Sequence, residues 1–116
     1  MSNDADCLFC KVAAGEVHAD VVHQTATTVA FRDIAPQAPT HVLVIPRHHH
    51  RNAVALGAAA PGVLVDLFAA AGRVAEQEGL DNGYRLVLNT GPDANQTVDH
   101  AHLHVIGGRS MGWPPG

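Results

Sequence analysis

An α+β domain, an antiparallel five-stranded sheet with one long and one short helix, is the fold that this 116-residue chain predicts. Two observations carry that expectation. Apolar and turn patterns follow the order β-β-β-α-β-β with mostly short connections, which lays a helix on one face of an antiparallel sheet. In residues 98–106, imidazoles alternate with apolar side chains. An extended strand there sets His100, His102 and His104 on one face, and Ala101, Leu103 and Val105 on the other.

The elements follow in order. Residues 7–14 read as a short helix closed by Gly15, a residue suited to a helix C-terminus. Residues 21–24 and 28–32 are short strands across a polar turn, and 33–39, carrying Pro36 and Pro39, is a loop. Residues 41–46, His-Val-Leu-Val-Ile-Pro, have the length and branching of a buried central strand. The polar bend Arg47-His48-His49-His50-Arg51 comes next. The long helix begins at Pro61 and stops at Gly79. Leu64, Leu67, Phe68, Ala71, Val74 and Ala75 recur there at helical spacing, with Asp66, Arg73, Glu76 and Gln77 mostly opposite. Strands at 84–89 and 98–106 follow, joined by the loop 90–97. Without repeats, linkers or low-complexity tracts, residues 1–116 are expected to form a single domain.

Composition narrows the function. Seven Lys and Arg against eleven Asp and Glu give a formal charge of −4, which supplies no basic field for nucleic acid. Every apolar stretch is broken well short of a membrane span. The start, Met1-Ser2-Asn3-Asp4-Ala5-Asp6, carries neither a basic nor an apolar leader region, so a cytoplasmic location is expected. In a reducing compartment, Cys7 and Cys10 read as thiols or metal ligands before they read as a disulfide.

The histidine ladder carries the chemistry. Same-face neighbours on a strand stand about 6.5–7 Å apart, a poor geometry for three imidazoles sharing one metal ion and a good one for three rings with different tasks. A neutral imidazole is a nucleophile or general base near neutral pH. His102, flanked on both sides, is the natural nucleophile. The preceding loop, with Gly91, Asn89, Gln96 and Thr97, offers donors for a phosphate or other oxyanion in front of it. Cys7-Leu8-Phe9-Cys10 alone is equally consistent with two small buried hydrophobes or half of a zinc site.

These residues resemble a known family. His100-Ala101-His102-Leu103-His104-Val105 is similar to the histidine-triad motif of the nucleotide-binding hydrolases and transferases. Phe31-Arg32-Asp33-Ile34-Ala35-Pro36-Gln37-Ala38-Pro39-Thr40-His41, Leu43-Val44-Ile45-Pro46, Gly107-Gly108-Arg109 and Trp113-Pro114-Pro115-Gly116 resemble its Hint branch. The resemblance implies a homodimer whose two sheets join. It also implies hydrolysis of purine nucleoside 5′-phosphoramidates or acyl-nucleotides through a nucleotidyl-histidine intermediate.

By position, His102 would attack the α-phosphorus while His100 and His104 orient and polarise the site. Asn89 and Thr97 would contact the phosphate, Thr97 would also pass a proton to the leaving group, and Gln96 would support the loop. Asp33 would take the ribose hydroxyls, Phe9, Phe31 and Ile34 would line the base pocket, and Trp113 would reach the partner subunit's site. Bacterial members hold zinc on residues matching Cys7, Cys10, His49 and His100, so a structural zinc is expected, with no cofactor required for the chemistry. His18, His23, His48 and His50 are read as solvated. Asp99 departs from the family pattern by adding an anion on the strand face opposite the histidines, and Gly112 departs from it before the tryptophan, which leaves the choice of leaving group open. Two alternatives stand beside this reading. One is a dinucleoside polyphosphate hydrolase, which the Trp-Pro-Pro-Gly tail disfavours; the other is a nucleotide- or zinc-binding adaptor with little turnover.

Overall fold

Five strands pair antiparallel in the order β1-β2-β3-β5-β4, with β1 Val21–Gln24, β2 Thr28–Arg32, β3 Thr40–Pro46, β4 Tyr84–Leu88 and β5 Leu103–Gly107. The computed structural model describes residues 5–116; the first four residues of the polar start lie outside it. The helices are α1 Leu8–Ala13, α2 Ala53–Ala59 and α3 Pro61–Gln77, with one 3₁₀ turn at Pro92–Ala94. No helix among the described residues is long and apolar enough to cross a membrane.

Strand alternation builds two cores, one on each face of the sheet. On one face Ala30, Val42, Val44, Leu103 and Val105 pack against Leu67, Ala70, Ala71 and Val74 of α3. On the other, Val29, Phe31, Leu43 and Ile45 pack against Phe9 and Val12 of α1. β3 is buried along its whole length, as its β-branched composition predicts for the central strand. Arg32 of β2 donates two hydrogen bonds to Glu78, at 2.9 and 3.0 Å, and ties the C-terminal end of α3 to the sheet. The carboxyl of Glu78 is held below its ordinary range chiefly by that bond to Arg32.

Three expectations need correction. First, β5 begins at Leu103 rather than at residue 98. The backbone just before it is spent on local bonds: the His100 amide donates to the Val98 carbonyl at 2.9 Å, and the Ala101 amide to the His50 carbonyl at 2.7 Å. Only His104 of the three histidines therefore lies in the ladder, although Ala101 still joins Leu103 and Val105 in the α3-side core. Second, α2 was not expected. Its seven residues bury one large side chain, Leu56, too few for a visible helical period. Its start is fixed by Asn52, whose Oδ1 accepts from the Ala55 amide at 2.8 Å. Third, Phe68, placed with the packed face of the long helix, is 44% exposed, because at helical spacing it lies at the margin of the buried stripe Leu67, Ala70, Ala71, Val74 and Ala75.

Candidate active site and metal centre

Register places the histidines. His104 pairs opposite Leu43 of β3 and Val87 of β4, which puts its ring on the face away from α3. His41, two residues before Leu43, shares that face. The two rings meet, with His41 Nε2 2.8 Å from His104 Nδ1.

The protons of this pair can be assigned from the ends inward. The Gln37 amide donates to His41 Nδ1 at 3.0 Å, so that nitrogen carries a lone pair. The neutral His41 ring then bears its hydrogen on Nε2 and donates to His104 Nδ1. His104 in turn bears its hydrogen on Nε2, an atom that is buried and has no protein partner among the described residues. A buried donor left unmatched costs about 1–3 kcal/mol, and this one points to an acceptor arriving with a ligand. Burial foremost, then the neighbouring His102 and His41, pushes the His104 pKa down to about 4, against a smaller opposing pull from Asp33. The ring is neutral at physiological pH. Asp33 Oδ2 lies 3.5 Å from His41 Nε2 and its Oδ1 accepts from the Ala35 amide at 2.8 Å. Asp33, His41 and His104 could geometrically surround an ion; their hydrogen bonds instead make them a relay.

On the other side of the ladder, His102 Nδ1 donates to the His100 carbonyl at 2.7 Å. That bond fixes the tautomer, with the hydrogen on Nδ1 and the lone pair on Nε2. The His102 ring lies 5.1 Å from that of His104 and 5.1 Å from that of Phe9, centroid to centroid.

His100 faces elsewhere. Its Nε2 donates to the Pro46 carbonyl at 2.9 Å, which leaves Nδ1 with a lone pair aimed at two thiols. Nδ1 stands 3.4 Å from Cys7 Sγ and 3.5 Å from Cys10 Sγ, and His49 Nδ1 stands 3.4 Å from Cys10 Sγ. All four donor atoms lie within 4.8 Å of one another. Ideal zinc–sulfur and zinc–nitrogen bonds at the tetrahedral angle put S and N about 3.5 Å apart. The donor set and its spacing therefore fit a four-coordinate zinc. Burial pushes the His100 pKa down to about 4, partly opposed by the Pro46 bond, so the ring is neutral as a ligand must be.

The remaining expected residues fall into three groups. Gln96 anchors its loop: Oε1 accepts from the Gly91 amide at 2.9 Å, and Nε2 donates to the Arg51 and Val98 carbonyls at 2.7 and 3.0 Å. Phe9 and Phe31 meet edge to face at 5.4 Å beside His102. Asn89 is half-buried and Thr97 exposed at the two ends of that loop. Ile34 and Trp113, by contrast, are 101% and 84% exposed and are not packed on the site within one chain. His18 and His48 are exposed, His23 and His50 partly buried, and Asp99 exposed in the bend before β5 rather than on a strand face.

The sequence reading missed His41 as a site residue. The parity of β3 aligns it with Leu43 and Ile45, but only the β3–β5 register brings it to His104. It also missed the Pro46 carbonyl, which has no side-chain signature.

Comparison with known proteins agrees with the fold. Residues 14–111 match the HIT domain model. A 14 kDa zinc-binding protein of Zea mays is 44% identical, covering 98% of this chain and 91% of its own. The adenylylsulfatase HINT1 of Arabidopsis thaliana is 42% identical, covering 98% of this chain and 79% of its own. Among solved structures, a HIT family hydrolase from Legionella pneumophila superposes with a TM-score of 0.91 at 46% identity, covering 96% of this chain and all of that one.

Proposed function

The chain belongs to the HIT domain family, and from that premise we propose that it is a nucleotidyl hydrolase cleaving purine nucleoside 5′-phosphoramidates or acyl-nucleotides. The observation that carries the reading is the pair of opposed tautomers: a lone pair on His102 Nε2 beside a buried N–H on His104 Nε2. One can attack phosphorus while the other donates to a non-bridging oxygen.

The steps follow from these atoms. His102 Nε2 attacks the α-phosphorus, the bond from phosphorus to the leaving nitrogen or oxygen breaks, and Thr97 passes a proton to the leaving group. The imidazolium formed is stabilised by the Nδ1–H bond to the His100 carbonyl. The His104 donor, with Asn89 and Thr97, meets the charge on the phosphoryl oxygens, an effect worth about 3–4 kcal/mol for a strong donor. Water then attacks phosphorus, breaks the bond to His102, releases the nucleoside monophosphate and returns a proton to Thr97. Asp33 binds the ribose hydroxyls, and Phe9, Phe31 and Ile34 take the purine.

Cys7, Cys10, His49 and His100 would hold zinc. With all four positions filled by protein, the ion supplies a structural crosslink and no open coordination site. The zinc-binding relative supports this assignment. Reduced thiols and net negative charge fit a cytoplasmic protein that does not bind nucleic acid.

The second subunit of a homodimer would pair along β4. This edge strand leaves Tyr84 and Leu86 exposed, and a cleft of about 860 Å³ lined by Leu80, Asp81, Tyr84, Arg85, Arg109 and Met111 adjoins it. Arg85 of β4 also binds the Gly112 carbonyl, holding the tail with Trp113 at this edge. Leu86→Glu is expected to give monomers in light scattering at micromolar concentration; an unchanged dimer would move the interface elsewhere.

The functional test offers adenosine 5′-phosphoramidate and a diadenosine polyphosphate to the same preparation. Release of AMP from the first at a much higher kcat/KM supports the reading. Preference for the second would favour a dinucleoside polyphosphate hydrolase, and binding without turnover an adaptor.

A further inference from the structure

The thiol–imidazole cluster and the nucleophile share a residue. His100 gives its ring to the cluster and its carbonyl to His102 Nδ1. The backbone of residues 100–102 precedes the first ladder pair, at Leu103, so strand pairing does not hold it. It is held by the local bonds from His100 to Val98 and from Ala101 to His50, the latter next to the ligand His49, and by the His100 ring. That ring is fixed by Pro46 on one side and by Cys7 and Cys10 on the other.

A second route runs through α1. Phe9 sits between the two cysteines, and its ring meets His102 at 5.1 Å, His100 at 6.1 Å and Phe31 at 5.4 Å, each edge to face. A six-residue helix does not persist by its own propensity. Beyond the apolar contacts of Phe9 and Val12, α1 is tied down by the cluster through Cys7, which caps its N-terminus by accepting from the Cys10 amide at 3.4 Å, and through Cys10 itself.

We propose that Cys7 and Cys10 are positioning residues for His102, acting through the His100 carbonyl and the Phe9 ring, so that the reactivity of the nucleophile follows the integrity of the cluster. The catalytic half of this inference rests on His102 being the nucleophile. The positional half does not. Loss of the cluster leaves the His100 ring on Pro46 alone, lets its carbonyl turn from His102 Nδ1, and frees Phe9 to leave the wall against which His102 stands. The imidazole then samples both tautomers and several ring angles.

The test compares wild type, wild type stripped with a chelator and reloaded with zinc, and the double variant Cys7→Ser, Cys10→Ser, all well below their melting temperatures. The readouts are the ¹⁵N shifts and Nδ1–H resonance of His102 and the separate values of kcat and KM for adenosine 5′-phosphoramidate. In the stripped protein and the double variant, the hydrogen-bonded Nδ1–H signal is lost or broadened. kcat falls at least about tenfold, as for other supports one layer behind a reacting group, with KM moving much less. Zinc restores both in wild type and neither in the double variant. A folded double variant whose His102 resonance and kcat match wild type, with only a lower melting temperature, overturns the proposal. If the double variant does not fold, Cys7→His serves in its place: it replaces the sulfur with a nitrogen ligand, and recovery of zinc without recovery of the His102 signal is equally contrary. Should wild type not turn over the phosphoramidate, the catalytic reading falls while the resonances still decide the coupling.

Discussion

The two flanks of His102 hold it by different means. On the His100 side, as proposed, the cluster of Cys7, Cys10, His49 and His100 fixes where the main chain runs, and its effect reaches His102 through the His100 carbonyl and the Phe9 ring. On the His104 side, a relay from the Gln37 amide through His41 fixes a proton, and ends in a buried donor without a protein acceptor among the described residues. One flank determines position and the other determines polarity. Under the proposed function, which presents a lone pair and a hydrogen to the same phosphoryl group, both are needed, since neutral imidazoles are otherwise free to choose either tautomer.

Substitutions can separate these contributions. The largest effect is expected at the centre: His102→Ala should lower kcat on a phosphoramidate by at least about a thousandfold, the scale on which nucleophile removal acts, while AMP binding by calorimetry persists. Turnover within tenfold of wild type would remove His102 from the mechanism. Next is the relay. His41→Phe deprives His104 Nδ1 of its donor and lets the hydrogen leave Nε2, and kcat should fall by roughly a hundredfold. His41→Gln, which can donate an N–H to the same atom, should recover part of that loss. Equal activity of Phe and Gln variants would show that proton placement is not what His41 contributes.

Smaller effects follow at the periphery. Gln96→Ala cuts the ties from the phosphate loop to Arg51, Val98 and Gly91, and should lower kcat/KM by about tenfold through looser positioning of Thr97. No change would mean that the loop holds its shape without this side chain.

Acid tests the relay through stability. The pKa of His104 is lowered in the fold, to about 4 from an ordinary 6.5, so the unfolded chain binds the extra proton first. The stabilisation is complete above about pH 6.5 and is lost as pH falls from there through 4. Urea unfolding at pH 7 and 4.5 should show wild type losing more stability than His104→Asn. Both proteins carry the cysteine cluster, so its own acid sensitivity cancels in the difference. Equal losses would contradict the buried, neutral ring.

The sequence made the order of the elements plain, apart from α2, and left the register hidden. Residues 41–46 announced a central strand because β-branched side chains fill a strand buried on both faces, and within β5 parity alone set His104 on the face opposite Leu103 and Val105. What could not be read was where pairing starts. The strand was expected from residue 98, yet the bonds that bend residues 98–101 go to carbonyls at Val98 and His50, and main-chain acceptors leave no mark in composition. His41 stayed hidden for a related reason: its partner is 63 positions away, and a register decides the contact. The cluster was legible only through resemblance, because Cys7 and Cys10 alone supply half a ligand set. Its closing distances belong to the fold. α2 and the exposed Phe68 mark the limit of periodicity, which reports an amphipathic face but not how wide its buried stripe is.

The central claim is that His102 becomes covalently joined to the nucleotide. Single-turnover mixing of the zinc-loaded protein with adenosine 5′-phosphoramidate, quenched rapidly at neutral or alkaline pH because the linkage is acid-labile, followed by intact-protein mass measurement, tests it directly. A transient adduct of one adenylyl group per chain, mapped to His102 and absent from His102→Ala, is expected. AMP formed at full rate with no adduct at any time point, and unimpaired in His102→Ala, would contradict it.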